Sequence, residues 1–146
     1  MNFARVAASA VVAWIVSIGV GFVVNDMLLK DLYAANAAAM RPEQVVMANL
    51  PLGFAATLVA FFAFAYMYAK GYEGTNGTME GVRFGVLVAV IISGFGVVWQ
   101  YVVYPISGPM VAAMIVDTIV EMALYGAIVG AIYKPAAKRA YNVAPV

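Results

Sequence analysis

The sequence predicts an all-α membrane protein, a four-helix bundle whose four transmembrane helices run up-down-up-down. Hydrophobic residues make up 66% of the 146 positions and charged residues only 10%, whereas a soluble domain carries about 25% charged residues. About 20 consecutive apolar residues cross the hydrocarbon core of a bilayer, and four segments reach that length with their flanks. The short connections between them leave no room for a second domain, so residues 1–146 are predicted to form one transmembrane domain.

The four predicted spans cover residues 4–29, 45–69, 79–104 and 109–133. The first resembles a secretory signal because Arg5 precedes an apolar run. That run, from Val6 to Val24, exceeds the ~7 to 15 apolar residues of a signal core. We therefore count it as a span.

The stretch before the second span is rich in alanine and is compatible with a short outer helix. Arg41-Pro42-Glu43 is typical of a helix start. Pro51 then lies eight residues into the second segment, which predicts a kink or a break between an interfacial turn and the span itself.

The glycine-rich loop 70–78 lacks the ending of a phosphate-binding loop and is predicted to be a turn. Thr78 is the expected N-cap of the third helix, with Glu80 placed favourably in its first turn. A second short turn makes the third and fourth helices antiparallel neighbours.

Each helix of this predicted pair carries a Gly-x-x-x-Gly motif, Gly81 with Gly85 and Gly126 with Gly130. Small residues allow the close backbone approach on which helix association in lipid depends. The motifs predict packing of the two helices on each other, with dimerisation as the alternative.

Basic residues predict the orientation. The side that holds both termini and the middle loop has six of them, against two, Lys30 and Arg41, on the other side. By the positive-inside rule, both termini are expected in the cytoplasm. Tyr101 and Tyr104 are expected in an aromatic belt at the outer interface. Gln100 is expected at the same interface, and Glu80 at the inner one. The six are Arg5, Lys70, Arg83, Lys134, Lys138 and Arg139.

Two acids, Asp117 and Glu121, lie four residues apart near the middle of the fourth span. A charge at that depth costs at least ~2.5 to 3.5 kcal/mol on insertion scales, so it faces protein or water and has a partner or a proton. Residues at i and i+4 are neighbours on a helix, and two ionised carboxylates there would repel one another. We expect at least one to carry a proton at neutral pH.

Three roles for the pair stay open. In the first role, Glu121 forms an ion pair with Arg83, the only intramembrane cation close by, as a structural lock inside the bundle. Asp117 is then hydrogen-bonded to Ser17, Ser93 or Thr118. Alternatively, the acids line a water-accessible path for protons or cations. In the third role they receive a polar or basic group from a neighbouring subunit.

The composition excludes several other functions. The chain contains no cysteine and no histidine, which removes thiolate chemistry and imidazole-ligated metals. No metal site or cofactor is predicted, and a net charge of +1 without a basic run gives no footprint for nucleic acid. Two carboxylates are able to do acid and base work, but no nucleophile or cofactor motif accompanies them, so an enzyme is not predicted.

Two alignments within the chain hint at an internal repeat. Residues 11–25 align with 86–100, and Tyr68-Ala69-Lys70 aligns with Ile132-Tyr133-Lys134. Two hairpins related by an axis along the membrane normal would explain them. Chance similarity between glycine- and valine-rich helices is the alternative.

Four sequence patterns resemble a family of small, uncharacterised four-span proteins of bacteria. They are Lys-Gly-Tyr-Glu-Gly at 70–74, Met-Glu-Gly-Val-Arg-Phe-Gly at 79–85, Gln-Tyr-Val-Val-Tyr-Pro at 100–105 and Ile-Tyr-Lys-Pro at 132–135. The resemblance implies four spans in a bacterial inner membrane and no particular activity. In the second pattern, Glu80 and Arg83 lie one helical turn apart, and the resemblance implies an ion pair between them at the membrane interface.

Together these observations predict a non-catalytic structural or accessory subunit. It would bind another membrane protein, or itself as a homo-oligomer, through contacts between helices in the lipid bilayer. The alternative is a minimal transporter, or a proton or cation path, that uses Glu121 and Asp117.

Overall fold

The computed structural model describes residues 1–74 and 76–133, and every regular element among them is a helix. Helix α1 (Phe3–Phe22) continues as a π-helical segment, Val23–Leu28, and α2 (Lys30–Ala35) leads into a short 3-10 turn, Ala37–Ala39. The remaining helices are α3 (Glu43–Gly71), α4 (Gly77–Ile92) with a π-helical extension Ser93–Val97, α5 (Val98–Val103) and α6 (Gly108–Ile132).

Four helical stretches are long and apolar enough to cross a membrane, which confirms the predicted all-α bundle of four spans. We call them the first span (Phe3–Leu28), the second (Glu43–Gly71), the third (Gly77–Val103) and the fourth (Gly108–Ile132). The protein is thus a multi-pass membrane protein. Lys134, Lys138 and Arg139, used above to predict orientation, lie outside the described residues.

Two local predictions need correction. The N-cap of the third span is Asn76, whose Oδ1 accepts a hydrogen bond from the Met79 N–H at 3.3 Å, and not Thr78. Pro51 lies inside the continuous helix α3, so of the two predicted alternatives, a kink or a break, the break is wrong. The reason is physical: a break would leave several backbone groups without partners in lipid, whereas proline removes only one N–H.

The fourth span is the centre of the bundle. It packs along the third span and also contacts the first, and the first contacts the second. Below, the end of the bundle that holds Tyr68, Tyr72 and Tyr133 is called the tyrosine end, and the opposite end, which holds residues 29–42, the loop end.

Glycines bring the third and fourth spans into backbone contact. A Cβ atom added to Gly81 would overlap the backbone of Gly126, and one added to Gly85 would overlap the backbone carbonyl of Met122. Gly77 and Gly130 meet in the same way nearer the tyrosine end. The two Gly-x-x-x-Gly motifs therefore face each other within one chain, because no other residue permits so close an approach.

A chain of aromatic rings ties the second span to this pair. The ring of Phe61 meets that of Tyr125 at 5.1 Å between centroids, and Phe64 meets Phe84 at 4.8 Å. The Tyr68 hydroxyl also donates to the Gly77 carbonyl at 2.7 Å. We call this set the aromatic ladder: Phe61, Phe64, Tyr68, Tyr72, Phe84, Tyr125 and Tyr133. It fills the tyrosine end of the bundle.

Asn36 fixes the connection between the first two spans at the loop end. Its Oδ1 accepts from the backbone N–H of Ser107 at 2.7 Å, and its Nδ2 donates to the Leu32 carbonyl at 2.8 Å. The side chain is 6% exposed. Because Ser107 caps the fourth span, this bond holds α2 against the start of that span.

Candidate functional site

The half of the second span nearer the loop end is separated from the rest of the bundle. Between residues 43 and 60, only Leu50 and Leu58 are even partly buried. In the most apolar window of the second span 6% of residues are buried, against 22% in the first and fourth spans. One long-range hydrogen bond reaches this half among the described residues, from Trp14 Nε1 to the Phe54 carbonyl at 3.1 Å. We call residues 43–60 the splayed half.

A cleft opens where the splayed half leaves the bundle. Its inner cavity has a volume of about 350 Å³ and lies between the first, second and fourth spans. An outer cavity of about 670 Å³ extends it towards the loop end. The two cavities share four lining residues and are therefore continuous: Ser17, Ile18, Leu50 and Phe54.

Glu121 lines the inner cavity, near the middle of the fourth span. Gly126 and Gly130, five and nine residues later, lie about 140° and 180° away around the helix at 100° per residue. Since those glycines meet the third span, the face of Glu121 is directed away from the closely packed helix pair. Asp117 lies one turn nearer the loop end, is partly buried and lines neither cavity.

Tyr125 closes the inner cavity at the tyrosine end. Its side chain is 1% exposed, and none of the described residues donates a hydrogen bond to its hydroxyl oxygen. Glu121 lies one turn away, and its carboxylate is close enough to attract the proton of that hydroxyl. Beyond Tyr125, the aromatic ladder fills the bundle, so the cleft ends at Tyr125 and Phe61.

Tyr33, on α2, lies above the acids at the loop end. Its hydroxyl donates to Asn25 Oδ1 at 2.8 Å, and both residues line the outer cavity. Burial raises the pKa of Tyr33 above its ordinary value of 10.0, and the negative charges of Asp117 and Glu121 raise it further. The tyrosine therefore lies near enough to sense both carboxylates.

The structural lock predicted between Glu121 and Arg83 is not formed. No ion pair joins them among the described residues, and Arg83 is exposed. Since Gly81 packs level with Gly126 and Gly85 with Met122, Arg83 lies level with Leu124, about 4.5 Å from the height of Glu121. The difference in height between Arg83 and Glu121 therefore does not prevent an ion pair. Arg83 is two residues from each packed glycine, about 200° around the helix, and so faces away from the fourth span.

None of the hydroxyl groups predicted as partners of Asp117 bonds to it among the described residues. Ser17 donates to the Trp14 carbonyl at 2.7 Å and Thr118 to the Met114 carbonyl at 2.7 Å. The hydroxyl of Ser93 is buried without a partner in the described part of the chain. Of these residues, only Ser17 joins Glu121 at the cleft.

The expected interfacial residues lie near span ends. Gln100, Tyr101 and Tyr104 are exposed at the loop end of the third span. Glu80 is in the first turn of that span and accepts a hydrogen bond from the Glu73 N–H at 3.3 Å.

Most residues that line the cleft were not predicted from the sequence, among them the polar residues Tyr33, Thr57 and Tyr125. Asn36, which holds the connection at the loop end, was not predicted either. Tyr125 had a detectable signal, because it lies one helical turn from Glu121 and so on the same face. Tyr33 and Asn36 had none, since their positions depend on a hydrogen bond across 71 residues to Ser107.

The fold and site define a class: a multi-pass helical membrane protein with a closely packed helix pair and an acidic cleft that ends inside the bundle. Searches against protein-family models, curated proteins and solved structures each give no match.

Proposed function

We propose that the protein is a non-catalytic structural or accessory subunit of a bacterial inner membrane, with both termini in the cytoplasm. It binds another membrane protein or a second copy of itself through the splayed half of the second span. The bacterial membrane rests on the resemblance of the sequence patterns, and the orientation on the excess of basic residues at the tyrosine end.

The observation that carries the proposal is the poor packing of the splayed half. Lipid supplies no hydrophobic drive between helices, so a helix is held in place only by close packing and hydrogen bonds. The rest of the bundle has both, whereas the splayed half has one hydrogen bond to the first span and little burial. Pro51 also leaves a carbonyl one turn earlier without its usual donor. A neighbouring helix would supply the missing contacts.

Photo-crosslinking in intact membranes tests this proposal. A photoreactive benzophenone amino acid replaces Leu52 or Val59, which are 70% and 69% exposed on the second span. We expect both to give one protein adduct of defined mass. The matched control is Leu87 on the third span, which is 65% exposed and should give lipid adducts only. Lipid adducts alone from Leu52 and Val59 would refute the proposal.

The transport alternative draws support from one specific observation, the cavities that lead from the loop end to Glu121. The aromatic ladder blocks continuation to the tyrosine end, which favours binding over conduction. Glu121→Gln and Asp117→Asn separate the two functions. Ion flux into liposomes that is lost while crosslinking persists would establish transport, and absent flux with intact crosslinking would leave the subunit role.

A further inference from the structure

We propose that the inner cavity is a binding site for a small amphipathic amine in its protonated form, with an N–H donor and an apolar, aromatic-sized body. This inference goes beyond the assembly proposed above and does not depend on it. The site lies inside the chain, whereas assembly uses the outer surface of the splayed half.

The size and lining of the cavity fit such a molecule. Its volume of about 350 Å³ falls within the ~300 to 1,000 Å³ of small-molecule sites, which are mostly apolar with a few convergent polar groups. Ile18, Leu50, Phe54, Phe61 and Met122 form the apolar walls.

The polar groups at the inner end select a cation. Glu121 is the only acid that lines the inner cavity, and no cation of the described residues pairs with it. A carboxylate in low dielectric attracts a positive charge far more strongly than in water. The walls include the aromatic residues Phe54 and Phe61, and aromatic rings are favourable neighbours for a cation. An anion would meet repulsion, and a neutral O–H or N–H donor would leave the charge of the carboxylate uncompensated.

The oxygen of the Tyr125 hydroxyl supplies a second reason for an N–H donor. The side chain lines the cavity and is almost fully buried, and the Glu121 carboxylate one turn away is the acceptor within reach of its O–H. The lone pairs of the hydroxyl oxygen are left without a donor among the described residues, and a buried acceptor without a donor is unfavourable. An ammonium with two N–H groups can donate to Glu121 and to the Tyr125 oxygen together. A quaternary ammonium has the same charge and no donor, so it leaves that oxygen unsatisfied.

The outer cavity provides a polar entrance. Asn25, Asp26, Lys30 and Tyr33 line it at the loop end, and its volume is about 670 Å³. The shared lining residue Leu50 stands where the two cavities join. A larger side chain there would narrow the passage.

The test uses three probes with one aromatic body: 1-naphthylmethylamine, its N-trimethyl quaternary analogue and the neutral 1-naphthalenemethanol. Binding to the full-length protein in nanodiscs is measured by isothermal titration calorimetry, and the signal from empty nanodiscs is subtracted. We expect the amine to bind about tenfold more tightly than the quaternary analogue, as one charge-assisted hydrogen bond predicts, and the alcohol more weakly than either.

Variants assign the binding to the cavity. Glu121→Gln should weaken amine binding about 30-fold or more, and Tyr125→Phe should abolish the preference for the amine over the quaternary analogue. Leu50→Trp, on the splayed half, should prevent binding of all three probes. This second variant keeps the inference testable if the Glu121 variant does not fold. The matched controls are Glu43→Gln, an exposed acid in the first turn of α3, and Ser93→Ala, a buried unpartnered hydroxyl outside the cleft. Both should bind as the parent does.

Two results would overturn the inference. One is the absence of saturable amine binding to the folded parent protein. The other is amine binding that survives Leu50→Trp and Glu121→Gln unchanged, because the probe would then sit in lipid or elsewhere on the protein. Equal affinity for the amine and the quaternary analogue would overturn the role of Tyr125 as acceptor.

Discussion

The two helical hairpins of this protein are built on different contacts. The third and fourth spans meet backbone to backbone at Gly81 and Gly126. The first and second spans lack such a contact and separate at the loop end, where the acidic cleft opens. One hairpin is a closely packed pair, and the other is joined to it by packing of the first span on the fourth and by aromatic rings at the tyrosine end.

The internal alignment shows why the hairpins differ. In its register, Gly81 and Gly85 correspond to Val6 and Ala10 on the first span. Gly126 and Gly130 correspond to Phe62 and Tyr66, which are 40% and 42% exposed. Large side chains that face outward cannot bring two backbones together. Whatever the origin of the alignment, only the second hairpin has glycines in backbone contact among the described residues.

Breaking the close contact should have the largest effect. Gly126→Ala places a Cβ against the backbone of Gly81, and the helices must separate to relieve the overlap. We expect the free energy of unfolding to fall by about 3 kcal/mol or more, the upper range for overpacking. Thermal or denaturant unfolding in detergent measures it.

Gly19→Ala is the control for this prediction. Gly19 has open space around its Cβ position, so alanine should leave stability unchanged or raise it slightly. Equal stability of the Gly126 and Gly19 variants would mean that the glycine contact does not hold the pair together.

Weakening the aromatic ladder should loosen the attachment of the second span to the third and fourth spans. Phe64 contacts the rings of Phe61 and Phe84, and Phe64→Ala should cost about 2 kcal/mol. That is less than the ~3 to 5 kcal/mol of water-soluble cores, because the unfolded reference state in detergent keeps the ring in apolar surroundings. Hydrogen exchange of the second span should increase more than that of the third.

Phe62→Ala offers a matched comparison, since Phe62 is 40% exposed and belongs to no ring contact among the described residues. Its stability should change by less than about 0.5 kcal/mol. If truncating Phe62 were as costly as truncating Phe64, the ladder would not be what secures the second span.

Releasing Asn36 should have a smaller and more local effect. Asn36→Ala removes the acceptor for the Ser107 N–H and should cost about 1 to 2 kcal/mol. Asn36→Asp keeps an acceptor oxygen and should restore part of the loss. Faster hydrogen exchange confined to residues 30–40 is the expected readout, whereas Asn49→Ala, which loses only a bond within its own helix, should not change it.

The smallest expected effect is a titration. Because burial and the two acids raise the pKa of Tyr33, its neutral form favours the folded state. This contribution to stability is complete below pH 10, the ordinary value for tyrosine, and is lost as the pH rises above it. The 295 nm absorbance of parent minus Tyr33→Phe protein should therefore have a midpoint above pH 10. Asp117→Asn with Glu121→Gln should lower that midpoint, and no change would place Tyr33 far from the acids.

The sequence was sufficient to predict the four spans and the glycines that pack the third span on the fourth, because both depend on local composition and helical spacing. It also placed Asp117 and Glu121 on a face away from Gly126 and Gly130. The prediction of an ion pair failed for Arg83. It considered the depth of Arg83 in the membrane, whereas the face of the third span on which Arg83 lies was decisive. The cleft could not be predicted from the sequence. It forms because Phe61 and Phe64 hold one half of α3 against the bundle, while the splayed half has no equivalent ring contacts.

Reactivity of two cysteines on one helix face tests the central claim that packing is close at the tyrosine end and open at the cleft. The chain has no native cysteine, so single cysteines can be placed at Ser17, which lines the cleft, and at Ala13, one turn away and 0% exposed. In membranes, a small methanethiosulfonate reagent should modify Ser17→Cys faster than Ala13→Cys by a factor on the order of ten or more, because thiolate reactivity requires access and hydration. Equal protection of both positions would contradict the account.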